Sequence, residues 1–152
     1  MAQKWTLENN VNDFVKSQLT KLGLKNGNGH NHFDSNVFNE ESKMSDSLKN
    51  ALQGSAKTQN KTNFGKPDFH LENRKHLSQV IPVVIENKLG TKNLVNETKA
   101  GVKFDDKSIS SFAVNGALHY ARNILNSGSN YKEVIAIGTA GDDENNCAIE
   151  GV

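Results

Sequence analysis

Apolar residues recur along this chain with two periods, and the change between them outlines the fold. Leu7, Val11, Phe14, Val15, Leu19 and Leu22 fall three and four apart. That spacing predicts an amphipathic helix over 7–22, capped by Thr6 and stopped by Gly23, its stripe facing a core. A second helix is predicted from a cap at Asp34 or Ser35 through Glu40, Glu41, Met44, Leu48, Ala51 and Leu52, ending at Gly54. The period then shortens. Phe64 to Leu71 reads as a short strand with Pro67 near its start, where proline is tolerated. Val80 to Ile85 is an apolar β-forming run closed by Glu86-Asn87-Lys88. The polar stretch 90–106 predicts loop with fragments of helix. Ser108 to Leu125 is the clearest helix, with Phe112, Ala113, Gly116, Ala117, Tyr120, Ala121 and Ile124 on one small-and-aromatic face suited to close packing on a sheet. Glu133 to Gly141 predicts a buried strand, and a polar turn over 142–146 makes a hairpin with a strand from Cys147 to Glu150. A strand, a long helix and another strand in succession favour a parallel pair. The expected class is α/β, a small mixed central sheet with helices on both faces.

Composition narrows this picture. With 152 residues the chain can form one domain with a core. The hydrophobic fraction of 35% and mean hydropathy of -0.64 imply a modest core and long solvated connections. A net charge of +1 gives no bulk argument for a nucleic-acid partner, so only local clusters of lysine could supply one. The single cysteine, Cys147, excludes an internal disulfide and suits a reducing compartment. No apolar run approaches the roughly 18 residues of a membrane span, and the first residues lack the apolar centre of a signal peptide. A cytoplasmic location is expected. The last residues, Ala148 to Val152, read as strand. The expectation is therefore that 1–152 is a single domain forming the N-terminal piece of a longer protein.

Candidate chemistry sits at the end of the apolar run. Side chains two apart in a strand share a face, which sets Glu86 beside Lys88, and Asp68 stands on the neighbouring predicted strand. Two carboxylates can hold Mg²⁺ while leaving positions for water and substrate oxygen. The carbonyl of Asn87 could add a third oxygen, and Lys88 could hold an attacking water or steady developing charge. A plain salt bridge at a strand end would use the same residues, and the residues alone leave both readings open. Lys57 and Lys61 in the polar stretch 55–63, together with Lys66, Lys92, Lys99 and Lys103, are candidate phosphate contacts, with solvated surface as the alternative. His30-Asn31-His32 lies in a Gly- and Asn-rich stretch and reads as a solvated turn rather than a metal site.

Pro67-Asp68 with Glu86-Asn87-Lys88 resembles the signature of the PD-(D/E)xK nuclease superfamily. The surrounding order is similar to that of the N-terminal nuclease domains of restriction-modification proteins. The segments that carry the resemblance are Glu40-Glu41-Ser42, Gly65-Lys66-Pro67-Asp68-Phe69, Val84-Ile85-Glu86-Asn87-Lys88, Phe112 to Ala121 and Val134 to Gly141, spanning roughly residues 38 to 150. The resemblance implies a restriction-endonuclease-like core and cleavage of double-stranded DNA with Mg²⁺, Mn²⁺ being a substitute. It implies a site of Asp68, Glu86 and Lys88 with metal at Asp68, Glu86 and Asn87. An acid from the preceding helix often joins such sites, which here would be Glu41, or else Glu40. Relatives often carry Gln-x-x-x-Tyr on the later helix; this chain has Gly116 in place of Gln, so only Tyr120 and the neighbouring His119 can be carried over. Implied partners are methylase, specificity or helicase modules in the same chain or complex, as in a type I restriction subunit or a combined nuclease-methylase. With so little net charge, weak activity is expected of the domain alone. Rival readings are a non-catalytic DNA- or partner-binding domain of the same fold, and a metal-dependent hydrolase of small phosphates.

Overall fold

The computed structural model describes residues 2–57, 63–76 and 79–152, the side chains of 73–76 excepted. Helix α1 spans Glu8–Lys21. Strands β1 (Lys25–Asn26) and β2 (Val37–Glu40) precede a short helix α2 (Asp46–Ala51). Strands β3 (Phe69–His76) and β4 (Gln79–Leu89) follow, then a 3₁₀ turn at Thr91–Asn93 and a two-residue hairpin, β5 (Glu97–Thr98) with β6 (Gly101–Val102). Helices α3 (Asp106–Ser111) and α4 (Ala113–Asn126) lead to β7 (Ile135–Asp143) and β8 (Asn146–Gly151). The main sheet has six strands in the order β1-β2-β3-β4-β7-β8. β3 and β4 are antiparallel, as are β7 and β8, whereas β4 and β7 are parallel with α4 in the crossover. This is the mixed α/β sheet flanked by helices that the periodicity predicts.

The pleat of β4 divides the core. Val84 faces one side, where it packs with Met44, Leu48, Ala51 and Leu52 from the α2 region, Ala117, Tyr120, Ala121 and Ile124 of α4, and Ala136 of β7. Ile85 faces the other, with Val11, Val15 and Leu19 of α1, Phe38 of β2 and Phe69 of β3. Phe38 and Phe69 meet edge to face with ring centroids 5.7 Å apart. Trp5 extends this side: its ring stacks obliquely on Phe14 and lies over Gly141 beside Cys147, and its backbone N–H donates to the Asp142 carbonyl at 2.8 Å. No helix among the described residues is long and apolar enough to cross a membrane.

Four local expectations are corrected. Thr6 does not cap α1; Leu7 occupies the cap position, and Asn10 reaches back to accept from the Leu7 and Thr6 N–H groups at 3.0 and 3.3 Å. Leu7 and Leu22, at the ends of the α1 stripe, are exposed rather than core. The helix expected from Asp34 or Ser35 does not form over 37–40: Val37 and Phe38, good β-formers with buried side chains, build β2 instead. Glu41 then turns the chain with φ +48°, and helix begins only after Ser45, whose Oγ caps the Leu48 N–H. The helix expected over 108–125 is two helices. Asp105 caps α3 through Ser108, and Phe112 is extended, which lets the Val114 N–H donate to the Leu94 carbonyl at 2.8 Å.

That break also settles the polar 94–104 stretch. Asn115, fully buried, donates to the carbonyls of Asn96 and Lys103 and accepts from the Asn96 N–H, pinning the β5–β6 hairpin onto α4. At its start α4 lies directly on the sheet. A Cβ at Gly138 of β7 would sit 2.5 Å from the Val114 nitrogen and 2.8 Å from the Ala113 carbonyl carbon. Gly138 is also the β7 partner of Glu86. Gly138→Ala should therefore destabilise the fold by about 1–3 kcal/mol through overpacking, read as a lower urea midpoint. An unchanged midpoint would show that helix and sheet can separate here without cost.

Candidate functional site

The site forms where β3 begins and β4 runs past it. Phe69 pairs with Ile85, the last rung between these strands, and Glu86 to Leu89 continue against β7 on their other side. Asp68, one residue before β3, folds over this gap. Its N–H donates to Glu86 Oε1 at 3.0 Å, and its Oδ2 accepts from the Asn87 N–H at 2.8 Å. The two carboxylates are thus fixed reciprocally by each other's strand. The N–H and C=O of a strand residue leave on the same side, so the Asn87 carbonyl points toward Asp68 as well. The two carboxylates, with that carbonyl, would offer an all-oxygen donor set of the kind that suits a hard divalent cation retaining several waters. No group of three or more His, Cys, Asp or Glu side chains among the described residues is arranged to hold a metal.

Burial sets the electrostatics. Glu86 is 4% exposed. Desolvation, then the charge of Glu86 nearby, pushes the Asp68 carboxyl up to about 8, opposed by the Asn87 N–H. Such a pair is costly to keep doubly ionised without a cation beside it. The cation present is Lys57, which pairs with the free oxygen of Glu86, Oε2. Its ammonium also lies 4.8 Å from the centre of the Tyr120 ring. Tyr120 is buried, and its hydroxyl is held strongly in the neutral form by burial and by Glu86 and Asp68.

Lys88 is placed differently from the expectation of a lysine lying against Glu86. It reaches Glu8 in the first turn of α1, Nζ to Oε1 at 3.2 Å. Glu8 also raises the Asp68 carboxyl through its charge. The sequence reasoning missed Glu8. Its signal was available in principle, because the first turn of an amphipathic helix packed on β4 must end near the rim of that strand. Asn87 connects the same elements: its Nδ2 donates to Asn12 of α1 at 2.9 Å, while its buried Oδ1 has no partner.

Glu40 and Glu41 are not on a helix. Glu40 ends β2 and pairs with Lys16 of α1 at 2.8 Å and with Asn26 of β1. Glu41 comes alongside Asp68 by its backbone, its N–H donating to the Pro67 carbonyl at 3.1 Å, but its side chain is exposed. His70 holds this turn, Nε2 donating to the Glu41 carbonyl at 2.9 Å. Lys57 and Tyr120 join the site directly. Lys66 is exposed and contributes, with Lys57, Tyr120, Ala56, Asn63 and Phe64, to a cleft of about 180 Å³ beside it. Lys49 and Lys66 each hold an ammonium near the Phe64 ring, at 5.1 and 5.3 Å. Lys92 is exposed in the 3₁₀ turn after β4, and Lys99 and Lys103 are exposed on and after the β5–β6 hairpin. Lys61 lies outside the described residues. His119 faces the 52–57 connection, its Nε2 2.8 Å from the Ser55 carbonyl.

No protein-family model matches the chain, and no solved structure matches it. Among curated proteins it is similar to the type II restriction enzyme and methyltransferase RM.BcgI of Heyndrickxia coagulans, with 35% identity over 109 residues. The match takes in 70% of this chain and 16% of that protein.

The imidazole anchoring the Glu41 turn makes stability pH-dependent. Burial depresses His70 from 6.5 to about 4 in the folded state. The folded chain therefore binds fewer protons there than the unfolded chain. Its contribution is whole above the unfolded value, shrinks as pH falls through that window, and amounts to about 3 kcal/mol at most. Between pH 7 and pH 4 the wild type should lose more stability than His70→Gln, measured by chemical denaturation. Parallel losses in the two proteins would refute a buried neutral imidazole.

Proposed function

We propose that this chain is the nuclease module of a restriction-modification enzyme, cleaving DNA phosphodiester bonds with Mg²⁺ at Asp68, Glu86 and the Asn87 carbonyl. The observation that carries the reading is the reciprocal clamp of Asp68 and Glu86 at the start of β3, which holds the two carboxylates beside each other. Similarity to a protein named for both restriction and methylation supports the same context, and a methylase module in the same polypeptide is part of the proposal.

Mg²⁺ bound there would neutralise charge on the phosphate and make a bound water a better nucleophile. The chain's own residues do the rest. Asp68 and Glu86 are held in place by backbone N–H groups, so little reorganisation is needed when the substrate arrives. Lys88, at the rim with Glu8, orients the attacking water and steadies negative charge as it develops. Glu8 is a positioning residue for that lysine. It is a candidate for the auxiliary acid beside Glu41, whose carboxylate is exposed. Lys66 and Lys92, exposed near the two ends of the site, serve as phosphate contacts. With a net charge of +1 they give weak, salt-sensitive DNA binding, so recognition of the target falls to another module.

Cleavage of duplex DNA with Mg²⁺ by the natural polypeptide carrying this chain tests the proposal. Glu86→Ala and Lys88→Ala should each lose about a hundredfold or more in rate. Lys88→Arg should keep the ion pair with Glu8 and the fold, yet lose cleavage comparably, because a planar guanidinium cannot replace an ammonium that orients water. Full cleavage in both Glu86→Ala and Lys88→Ala would exclude this site. Unimpaired cleavage in Lys88→Arg would reduce Lys88 to a structural ion pair.

A further inference from the structure

We infer that Lys57 is a built-in competitor of the divalent cation: its ammonium occupies the cation's place on Glu86, and metal binding requires that it leave. The inference rests on the metal reading proposed above. Glu86 Oε1 is committed to the Asp68 N–H, so Oε2 is the oxygen free to bind a cation, and it is Oε2 that Lys57 holds. The ammonium and a metal cannot share it. A metal ion sits about 2.1 Å from its carboxylate oxygen, and two cations at one oxygen repel each other strongly in so enclosed a position.

The seat of Lys57 is constructed rather than incidental. The lysine comes from the connection after α2, 29 positions before Glu86 in sequence. Its side chain is 13% exposed and runs over the Tyr120 ring. It ends in a slot beside Gly116, where a Cβ would lie 2.5 Å from Nζ and 3.2 Å from Cε, and also 2.9 Å from the Ile109 carbonyl oxygen. An exposed strand-end ion pair needs neither the aromatic wall nor the missing side chain. The arrangement also answers an electrostatic need, since Lys57 sets a positive charge against the buried Glu86 of the carboxylate pair. In the metal-free chain it offsets charge that the cation otherwise neutralises. An ordinary structural ion pair predicts the opposite behaviour: loss of Lys57 would leave metal affinity unchanged, or weaken it by letting Glu86 wander.

Mn²⁺ binding followed by electron paramagnetic resonance and by calorimetry, without DNA, separates these. Wild type, Lys57→Met, Gly116→Ala and Glu86→Gln are compared, with folding checked by circular dichroism. Lys57→Met should bind Mn²⁺ at least about tenfold more tightly than wild type, as expected on removing an opposed charge from a partly buried site. Gly116→Ala keeps the lysine but fills its slot, and should shift affinity in the same direction; it decides the matter if Lys57→Met fails to fold. Wild-type binding that is lost in Glu86→Gln but unchanged or weaker in Lys57→Met and Gly116→Ala would overturn the competition and leave the metal site standing. Absence of binding in wild type, Lys57→Met and Gly116→Ala alike would overturn both.

Discussion

Everything near the site depends on one mismatch in length. β4 continues past the first residue of β3, and Asp68 bridges the step by giving its N–H to Glu86 and taking the N–H of Asn87. Without those two bonds, the edge of β4 would present unpaired backbone and a mobile acid. With them, the carboxylates of two strands are locked within one rung. Burial by α4 and the Tyr120 ring then makes their charge expensive, and the surrounding lysines and Glu8 respond to that cost. The geometry of the carboxylate pair, the raised Asp68 carboxyl and the seat of Lys57 all follow from where β3 begins.

The two faces of β4 contribute differently. On the α4 side, small residues bring the helix close: Gly138 lets it rest on β7, Gly116 admits the Lys57 ammonium, and a side chain at Gly65 would collide with Tyr120. On the α1 side the contact is broader and more apolar, through Val11, Val15 and Leu19. That helix nonetheless contributes polar groups at its first turns, Glu8 to Lys88 and Asn12 to Asn87. The rim of β4 is therefore served by both layers, one closing over Glu86 and the other holding Lys88.

Periodicity made the layered sheet legible because long elements average over many positions. α1, β4, α4 and the β7–β8 hairpin each repeat their pattern enough times to be read. Where a short element is decided by tertiary pairing, the pattern misleads. Val37 and Phe38 lie in a stretch that fits a helical period, yet they pair as strand with Lys25 and Asn26 of β1, and the next residues, Asn39 and Glu40, pair with β3. Phe112 breaks a helix whose local sequence would continue, because Asn115 has to reach the 94–104 connection. The pairing of Asp68 with Glu86 could be proposed from adjacent strands. Lys57 against Glu86 could not be, since it joins segments far apart in sequence with no shared motif, and Glu8 against Lys88 becomes readable only once α1 is docked on β4. Gly116, where the resemblance led to an expectation of glutamine, read as a missing piece; in space it leaves room for the Lys57 ammonium and for the Ile109 carbonyl.

The only tryptophan of the chain, Trp5, is wedged between Phe14 of α1 and Gly141 of β7 with the Cys147 sulfur close by. It stands three residues before Glu8, in the segment whose docking brings that acid to Lys88. Indole emission, sensitive to its packing and to a neighbouring thiol, is thus an intrinsic optical gauge of whether the N-terminal arm is seated. The arm can be followed in real time without any label near the chemistry.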